Sequence, residues 1–368
     1  MKVAIIHDDL MRRGGAEQVA LSMMKAFPDA DLYTLCYQPA LTYPEFKNYS
    51  IKTSLYQHLV KTEKWMKWLF FPFGILSMKL LNVKGYDVVI ISSTFCAKYA
   101  SVDKNARIFI YTYTPFRLAW NPASYKEYNE SKGLYRILLK AVIRCLQWID
   151  KHEAQKGHYH IGMTKETAQR IRNAYGVTDV TIIHPPVKSN NFYISDIEPK
   201  TYYLIVSRLE FYKKVDLAIE AFNELNLPLI IVGNGSKKKE LTEMANNNIE
   251  FKSGLSAQEL AGLYASCKAF VFPQYEDYGI TPLEANASGR PVIAYSKGGV
   301  LETMIPYRDA HTGFSGIFFN EQTKESLIEA IRLFETLKID SSFIQANALK
   351  FDETVFVNEL LHVVNSKL

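Results

Sequence analysis

The sequence predicts an α/β protein made of two doubly wound, Rossmann-like domains that face each other across a cleft. Short runs rich in Val and Ile alternate with longer stretches of helical periodicity, the pattern of parallel sheets covered by helices. The pattern occurs twice along 368 residues, a length typical of two domains of similar size. Between the two series lie Pro185-Pro186 and the polar stretch 188–200, where turns are favoured over helix.

The predicted strands each precede a loop and a helical stretch. They are Val3–His7, Asp87–Ile91, Arg107–Tyr111 and His158–Met163 in the first half, and Tyr202–Ser207, Leu229–Val232, Ile249–Lys252, Ala269–Phe272 and Val292–Tyr295 in the second. We therefore expect domains at 1–188 and 189–352, with a terminal helix at 353–368 that packs back on the first domain. Ligands of doubly wound sheets bind at the carboxyl ends of the strands, so function is expected in the loops that follow them.

Composition excludes several classes of protein. Hydrophobic residues make up 48% and charged residues 22% of the chain, which indicates packed cores rather than disorder. The four cysteines, at 36, 96, 145 and 267, lack the close spacing of a zinc cluster or a disulfide framework. Residues 1–9 turn acidic where a signal peptide needs its apolar segment. These features predict a protein of the reducing cytoplasm.

Charge is divided unevenly along the chain. Residues 1–190 carry 26 Lys and Arg against 15 Asp and Glu, a net +11, whereas the remainder has a net −6. The basic half includes the aromatic, lysine-flanked run Trp65–Leu81, which Lys67, Pro72 and Lys79 interrupt too often for a membrane span. Such a run suits an anionic membrane surface, here the inner face of the membrane, although a buried helix with snorkelling lysines has the same pattern. Nucleic acid is not expected as a partner, because no recognition motif is present.

The first loop of interest is Met11–Glu17, which leads from a predicted strand into an amphipathic helix. Gly14 and Gly15 allow backbone N–H groups to approach an anion, and the helix N-terminus favours a phosphate there. A tight strand-to-helix turn explains the glycine pair equally well. The nearby Asp29-Ala30-Asp31 resembles a metal-binding pair of carboxylates but lies at the opposite end of the sheet, so turn and capping roles are predicted and no metal site.

Two basic residues follow the first strand of the second domain. Arg208 and Lys213 can clamp a diphosphate, the guanidinium by its fork of donors and the ammonium as a point charge; a solvated basic loop is the alternative. The next strand ends in Gly233-Asn234-Gly235, which lacks the third glycine of a dinucleotide fingerprint. A nicotinamide-dependent dehydrogenase is therefore less favoured.

The segment Phe272–Ala285 carries two carboxylates with seven residues between them. Glu276 lies in a loop after a strand, and Glu284 is predicted in the first turn of a helix that begins near Thr281-Pro282. Gly279 permits close approach of the backbone to a ligand. These carboxylates can accept hydrogen bonds from sugar hydroxyls and a ribose diol, although an acid in a first turn also stabilises the helix dipole by itself.

Together these segments resemble the family 4 retaining glycosyltransferases, in particular their mannosyltransferase-like members. The resemblance extends over nearly the whole chain and includes a carboxylate pair of E-x7-E form joined to an upstream Arg and Lys, which is specific for this family. The matching segments are Gly14–Glu17, Thr114–Arg117 with Trp120, Pro185–Val187, Arg208 with Lys213, Glu276 to Glu284, and Gly298-Gly299 with Glu302.

The resemblance implies the two-domain glycosyltransferase-B fold, no cofactor, and a nucleoside diphosphate sugar as donor, with GDP-mannose favoured. It implies that Arg208 and Lys213 bind the diphosphate and that Glu284 binds the ribose. The remaining donor contacts that it implies are Glu276, Gly279, Ile280 and Thr281 around the sugar and nucleotide, and Gly14 and Gly15 facing the phosphates.

One position departs from the family pattern. Many relatives carry His immediately before the Thr-Pro of this segment, where the present chain has Tyr113 followed by Thr114 and Arg117. Tyr113 and Arg117 are therefore expected on the acceptor or donor-sugar side, with the Tyr113 hydroxyl in place of the imidazole. No general base is lost, since in the retaining mechanism associated with this family the leaving diphosphate takes the acceptor's proton.

The sequence therefore predicts a retaining, metal-independent hexosyltransferase that acts on a glycan acceptor in cell-surface polysaccharide assembly, and the acceptor is expected to be lipid-linked. Arg208, Lys213 and Glu276 are its expected catalytic residues. Two alternatives stay open at this point: a glycan- or nucleotide-binding scaffold with a decayed site, suggested by Tyr113, and a nicotinamide-dependent oxidoreductase.

Overall fold

A computed structural model of the chain describes residues 1–60, 62, 70–196, 199, 201–309 and 311–368. The chain divides into two compact units. The first comprises Met1–His184 together with Phe356–Leu368, and the second comprises Pro185–Val355. Each unit is an α/β structure with its own parallel sheet and its own buried apolar core.

The sheet of the first unit has seven parallel strands in the order β3-β2-β1-β5-β7-β8-β9, and a two-stranded sheet pairs β4 with β6. The strands are β1 (Val3–His7), β2 (Asp31–Thr34), β3 (Ile51–Thr53), β4 (Asn82–Val83), β5 (Val88–Ser93), β6 (Ser101–Val102), β7 (Arg107–Thr112), β8 (Tyr159–Gly162) and β9 (Val180–Ile182). β1 and β5 are buried along their whole lengths, because helices cover both faces of the sheet.

The described helices of the first unit that precede its last strand lie between its strands in sequence. They are Gly15–Ala26, Ile75–Leu80, Arg117–Trp120, Lys126–Glu130, Gly133–Ala154 and Lys165–Tyr175. The Glu353–Ser366 helix begins in the second unit and continues in the first, where Phe356 packs edge-on against Tyr111 with ring centroids 6.0 Å apart.

The second unit has six parallel strands in the order β12-β11-β10-β13-β14-β15. They are β10 (Tyr203–Val206), β11 (Leu229–Val232), β12 (Ile249–Lys252), β13 (Phe270–Phe272), β14 (Val292–Tyr295) and β15 (Gly316–Phe319). From β10 the chain first winds outward through β11 and β12 and then returns to the other side of β10 at β13. The strand order therefore reverses between β10 and β13, which is the switch point where such sheets bind ligands.

The second unit's helices are Val215–Leu225, Lys238–Met244, Ala257–Ser266, Ile280–Ala287, Val300–Thr303, Lys324–Glu335 and Ser341–Leu349. The predicted α/β fold class is confirmed, and the predicted strands β1, β11, β12 and β14 have the predicted bounds. The other predicted strands differ by one or two residues at one or both ends, where hydrogen bonding rather than composition decides the last paired residue.

The described part of the Trp65–Leu81 run is divided between core and surface. Phe70, Ile75 and Met78 are buried, whereas Phe71, Phe73, Leu76 and Leu80 are exposed. The aromatic and basic residues on which the membrane prediction chiefly rests lie outside the described residues: Lys61, Lys64, Trp65, Lys67 and Trp68. Over the described ranges, no helix has both the length and the apolar character needed to cross a bilayer.

Candidate active site

The predicted basic and acidic residues meet at the switch point of the second sheet. Arg208 and Lys213 lie in the loop that follows β10, and Glu276 lies in the loop that follows the neighbouring strand β13. The Lys213 ammonium forms an ion pair with the Glu276 carboxylate across these two loops. Two residues separated by 63 positions in sequence are thereby brought together at the edge where parallel sheets bind ligands.

The ring of Tyr212 lies beside both cations of the first loop. Arg208 donates from Nη2 to the Tyr212 hydroxyl at 2.7 Å, and the Lys213 Nζ lies 5.2 Å from the ring centroid. Lys213 itself is largely buried at the end of the short Phe211–Lys213 turn, and Lys214 follows in a left-handed conformation with φ of 53°. Two cations held on an aromatic ring form an arrangement that can bind a diphosphate.

The Glu276 loop is held by the glycine pair that follows β14. The Gly299 N–H donates to the Glu276 carbonyl at 2.9 Å. Gly298 has φ of 85°, and a Cβ there would lie 2.1 Å from the same carbonyl oxygen. Only glycine fits this contact, so Gly298 and Gly299 position the carboxylate-bearing loop.

The Gly233-Asn234-Gly235 turn supports the Arg208 loop. A Cβ on Gly233 would lie 1.9 Å from the Ser207 carbonyl oxygen, and one on Gly235 would lie 2.3 Å from the carbonyl oxygen of Leu209. The Leu209 N–H donates to the Asn234 carbonyl at 2.9 Å. The glycines that form an incomplete dinucleotide fingerprint are therefore explained by close packing between two neighbouring loops.

Glu284 is oriented by a tyrosine that the sequence reasoning did not select. The helix begins at Ile280, directly after Gly279 with φ of 93°, so Glu284 is its fifth residue and the predicted first-turn placement is wrong. The Tyr264 hydroxyl donates to Glu284 Oε2 at 2.8 Å. Burial raises the pKa of the Glu284 carboxyl, and the Tyr264 hydrogen bond partly opposes this rise. No local signal marks Tyr264, because it reaches the carboxylate from the Ala257–Ser266 helix.

In the first unit, Gly14 adjoins the buried carboxyl of Glu17. Gly14 precedes the Gly15–Ala26 helix in an extended conformation, and a Cβ there would lie 2.6 Å from Glu17 Oε2. The Arg12 guanidinium lies between two acids, 2.6 Å from Asp9 Oδ2 and 3.5 Å from Glu17 Oε1. Burial, partly offset by Arg12, raises the pKa of Glu17 to about 7. The absence of a side chain at Gly14 thus makes room for this carboxyl group.

Tyr113 takes part in a directed chain of hydrogen bonds. Its hydroxyl donates to the Ala16 carbonyl at 3.0 Å, so it must accept from Ser92 Oγ at 2.9 Å, and Ser92 in turn must accept from His7 Nδ1 at 2.9 Å. Burial lowers the pKa of His7, which is consistent with a neutral ring carrying its proton on Nδ1. Tyr113 is buried and its proton is committed to the backbone of the Gly15–Ala26 helix. Its role beside a donor sugar stays a prediction.

Asp8 was not selected from the sequence, yet it joins two strands at the switch point of the first sheet. It follows β1, and its carboxylate accepts from the backbone N–H groups of Cys96 at 2.8 Å and Ala97 at 2.7 Å, in the loop after β5. Thr94 donates to the same carboxylate through its hydroxyl at 2.6 Å. Arg117, by contrast, begins the Arg117–Trp120 helix with an exposed side chain.

Asp31 is engaged by neighbouring side chains. It begins β2, where Lys52 Nζ donates to its carboxylate at 3.0 Å and the Tyr86 hydroxyl donates to the same oxygen. Of the residues that the structure describes, none form a group of three or more His, Cys, Asp or Glu side chains that could hold a metal ion.

Comparison with known proteins finds a family match for most of the second unit. Residues 188–351 match the family model described as "Glycosyl transferases group 1". The chain is 24% identical to the alpha-1,3/1,6-mannosyltransferase ALG2 of Candida glabrata, with 84% of this chain and 79% of that protein covered. The enzyme of the same name from Saccharomyces cerevisiae is also 24% identical, with 83% and 71% covered.

A solved structure shares the fold. HepE of Anabaena in complex with UDP has a TM-score of 0.72 at 15% identity, and the match covers 100% of both chains. At 15% identity this likeness shows the fold alone. The activity is indicated by the matching family model and the curated relatives. The chain is therefore a glycosyltransferase of the glycosyltransferase-B fold that is similar to mannosyltransferases, and its residues 188–351 match the group 1 glycosyltransferase family.

Proposed function

We propose that the chain is a retaining, metal-independent mannosyltransferase that uses GDP-mannose and extends a lipid-linked glycan in cell-surface polysaccharide assembly. The observation that carries the proposal is the ion pair between Lys213 and Glu276, with Arg208 beside it, at the switch point of the second sheet. The mannosyltransferase relatives support mannose as the transferred sugar.

In this proposal the second unit binds the donor. Arg208 and Lys213 hold the diphosphate, because a guanidinium fork and an ammonium can share its charge between them. Glu284, oriented by Tyr264, accepts hydrogen bonds from the ribose diol. Glu276, with the backbone of Gly279, Ile280 and Thr281, holds the sugar.

The transfer step needs no protein general base. The bond between the anomeric carbon and the diphosphate oxygen breaks, and its electron pair leaves with the diphosphate. The acceptor hydroxyl forms the new bond to the anomeric carbon on the same face, and its proton passes to the departing diphosphate. Arg208 and Lys213 stabilise the negative charge that grows on the leaving group, and such preorganised electrostatics supply most of the rate.

The same arrangement supports the proposal of metal independence. Two cations at the diphosphate can carry out the charge neutralisation that a divalent ion performs in other transferases. The contributions of Gly14, Gly15, Tyr113 and Arg117 stay predictions from the family resemblance.

A lipid-linked acceptor would place the enzyme at the inner face of an anionic membrane. The basic first half of the chain motivates this part of the proposal. We expect co-sedimentation with anionic but not neutral vesicles, weakened when Lys61, Lys64 and Lys67 are changed to Glu or when Trp68 is changed to Ser. Equal binding to both vesicle types would contradict the proposal.

The donor assignment is tested by nucleoside diphosphate release from a panel of nucleotide sugars in the presence of a glycan acceptor. We expect GDP-mannose to be used best and the product to retain the α configuration of the donor, as read by NMR of the anomeric proton. Lys213→Ala should lower the rate by about 30- to 1,000-fold, the effect of losing one charged contact in a transition state.

The matched control is Lys239→Ala, because Lys239 is an exposed lysine of the same unit that pairs with Glu243 at 3.8 Å. It should transfer at the wild-type rate. An inverted product, or a folded Lys213→Ala protein with wild-type turnover, would contradict the proposed mechanism.

A further inference from the structure

The helix Gly133–Ala154 presents an apolar surface on the side opposite its core contacts. Its buried residues begin only at Ile143. On the opposite side, exposed apolar side chains recur at spacings of three and four residues, so they form one stripe along the helix. This outer stripe comprises Leu134 (71% exposed), Ile137 (64%), Leu138 (57%), Ala141, Cys145 and Trp148 (69%).

Basic side chains border the outer stripe. Arg136, Lys140 and Arg144 are exposed along one edge of the helix, and the sequence from 131 to 149 contains no Asp or Glu. The first acids, Asp150 and Glu153, are buried and paired with lysines: Asp150 with Lys98 at 2.9 Å, and Glu153 with Lys79 at 3.0 Å. The exposed face of this helix is therefore both apolar and positively charged.

The positive charge of this face favours an anionic membrane over a second copy of the chain as its partner. In a symmetric contact between two copies the same patch meets itself, which would bring two rows of like charges together. An anionic bilayer surface instead offers acyl chains to the stripe and phosphate headgroups to the basic edge. A helix of this length, about 33 Å, can lie along such a surface. The exposed Phe71, Phe73, Leu76 and Leu80 of the same unit add apolar area, and the Lys79–Glu153 ion pair ties their segment to this helix.

We propose that the Gly133–Ala154 helix docks the first unit on an anionic membrane by inserting its outer stripe among the lipid headgroups. This inference rests on the membrane part of the proposed function and adds to it a surface made of described residues. The docking keeps the helix in the plane of the membrane, with Arg136, Lys140 and Arg144 among the phosphates.

Cys145 allows a fluorescent probe to be attached without any change to the sequence. It lies within the outer stripe and is exposed, whereas Cys36, Cys96 and Cys267 are buried. A thiol-reactive, polarity-sensitive fluorophore should therefore label Cys145 selectively. We expect a blue-shifted, brighter emission with vesicles containing phosphatidylglycerol, fading as salt is raised, and no change with phosphatidylcholine alone. An unchanged emission with the anionic vesicles would overturn the proposal.

Variants separate the apolar stripe from the basic edge. Changing Leu134, Ile137 and Leu138 together to Gln, which preserves helix propensity, should lower vesicle binding at least tenfold in a flotation assay. Changing Arg136, Lys140 and Arg144 together to Gln should weaken binding and remove most of its salt dependence. The control changes three exposed leucines of the second unit to Gln, namely Leu301, Leu333 and Leu349, and should bind as the wild type does.

Three outcomes of these variant experiments would also overturn the docking surface. One is unchanged binding by the stripe variant, and another is an equal loss in the control. The third is a wild-type dimer, seen by light scattering, that the stripe variant converts to a monomer, since that would identify a second copy as the partner. Thermal unfolding at the wild-type temperature verifies that the stripe variant is folded.

Docking and catalysis are measured separately. Vesicle binding is followed without donor or acceptor, and hexose transfer is followed with a soluble acceptor and no vesicles. A chain that docks but transfers no hexose contradicts the proposed function and supports the docking surface. A chain that transfers hexose but binds no vesicles overturns the docking surface together with the membrane part of the proposed function, and it leaves the hexosyltransferase assignment standing.

Discussion

The buried carboxyl of Glu17, which adjoins Gly14, makes the stability of the first unit depend on pH. Burial raises the pKa of this carboxyl to about 7, whereas its ordinary value is 4.5. The folded protein therefore holds the proton more tightly than the unfolded chain. This carboxyl favours folding at low pH, and its contribution is lost as the pH rises from about 4.5 to about 7.

The perturbation is Glu17→Gln, which keeps the shape of the side chain and removes its ionisation. A difference of about 2.5 pKa units corresponds to about 3 kcal/mol, of which about 2 kcal/mol falls between pH 5.5 and pH 8. The variant should therefore gain about 2 kcal/mol on the wild type over that interval, or roughly 4–8 °C in melting temperature for a domain of this size.

The measurement is scanning calorimetry of both proteins at pH 5.5 and pH 8, with Glu45→Gln as a control at an exposed acid of the same unit. The quantity compared is the difference in melting temperature between variant and wild type. This difference cancels the effect of the buried His7 and His160, whose lowered pKa values make the protein less stable as pH falls. A gap between Glu17→Gln and wild type that does not change with pH would show that Glu17 is ionised throughout and paired with Arg12.

Three further predictions follow from the site. Glu284→Ala and Arg208→Ala should each lower hexose transfer by about 30- to 1,000-fold. Arg208 is exposed, so its variant should keep the wild-type melting temperature, whereas Glu284→Ala also removes the acceptor of the buried Tyr264 hydroxyl and should melt at a lower temperature. Arg332→Ala, at an exposed arginine of the same unit, should leave transfer unchanged, and wild-type turnover in a folded Arg208→Ala protein would refute the assignment. Transfer should continue in excess chelator, and activity that disappears there and returns with magnesium would show that a metal takes part. Tyr113→Phe should lower the free energy of unfolding by about 1–3 kcal/mol in urea titrations, because the Ser92 hydroxyl and the Ala16 carbonyl each lose a hydrogen bond. Tyr135→Phe, at an exposed tyrosine, should change it little, and equal stability of the two variants would mean that the chain through Ser92 is dispensable.

The fold was predictable because its signal is local and repeated. Strands such as Leu229–Val232 are continuous apolar runs bounded by turn residues, so composition alone locates them. The short strands Asn82–Val83 and Ser101–Val102 have no such pattern, since two residues carry no periodicity and their pairing depends on a neighbour elsewhere in the chain. Tertiary hydrogen bonding decides these elements, and no local pattern predicts them.

At the site, too, some residues are predicted by a local pattern and others are placed only by tertiary contacts. Arg208, Lys213 and Glu276 stand in loops that follow strands, so the sequence pattern and the sheet topology point to the same edge. The residues that orient them are different. Tyr264 reaches Glu284 from another helix, and Gly298 fits against Glu276 only because two loops touch. Contacts of this kind join distant parts of the chain, so only the structure reveals them.

The hydrogen-bond chain beneath the glycine turn gives a physical reason for the tyrosine at position 113. His7 ends β1, Ser92 belongs to β5, and Tyr113 directly follows β7, so three neighbouring strands each contribute one group. Because each group has one proton to give along the chain, the direction is set from the imidazole toward the Ala16 carbonyl. Removing a member takes one hydrogen bond from each of its neighbours in the chain, and each such bond contributes about 0.5–1.5 kcal/mol. A hydroxyl at the end of a phenol ring therefore ties the first turn of the Gly15–Ala26 helix to the sheet, and the need to hold that turn accounts for Tyr113 by itself.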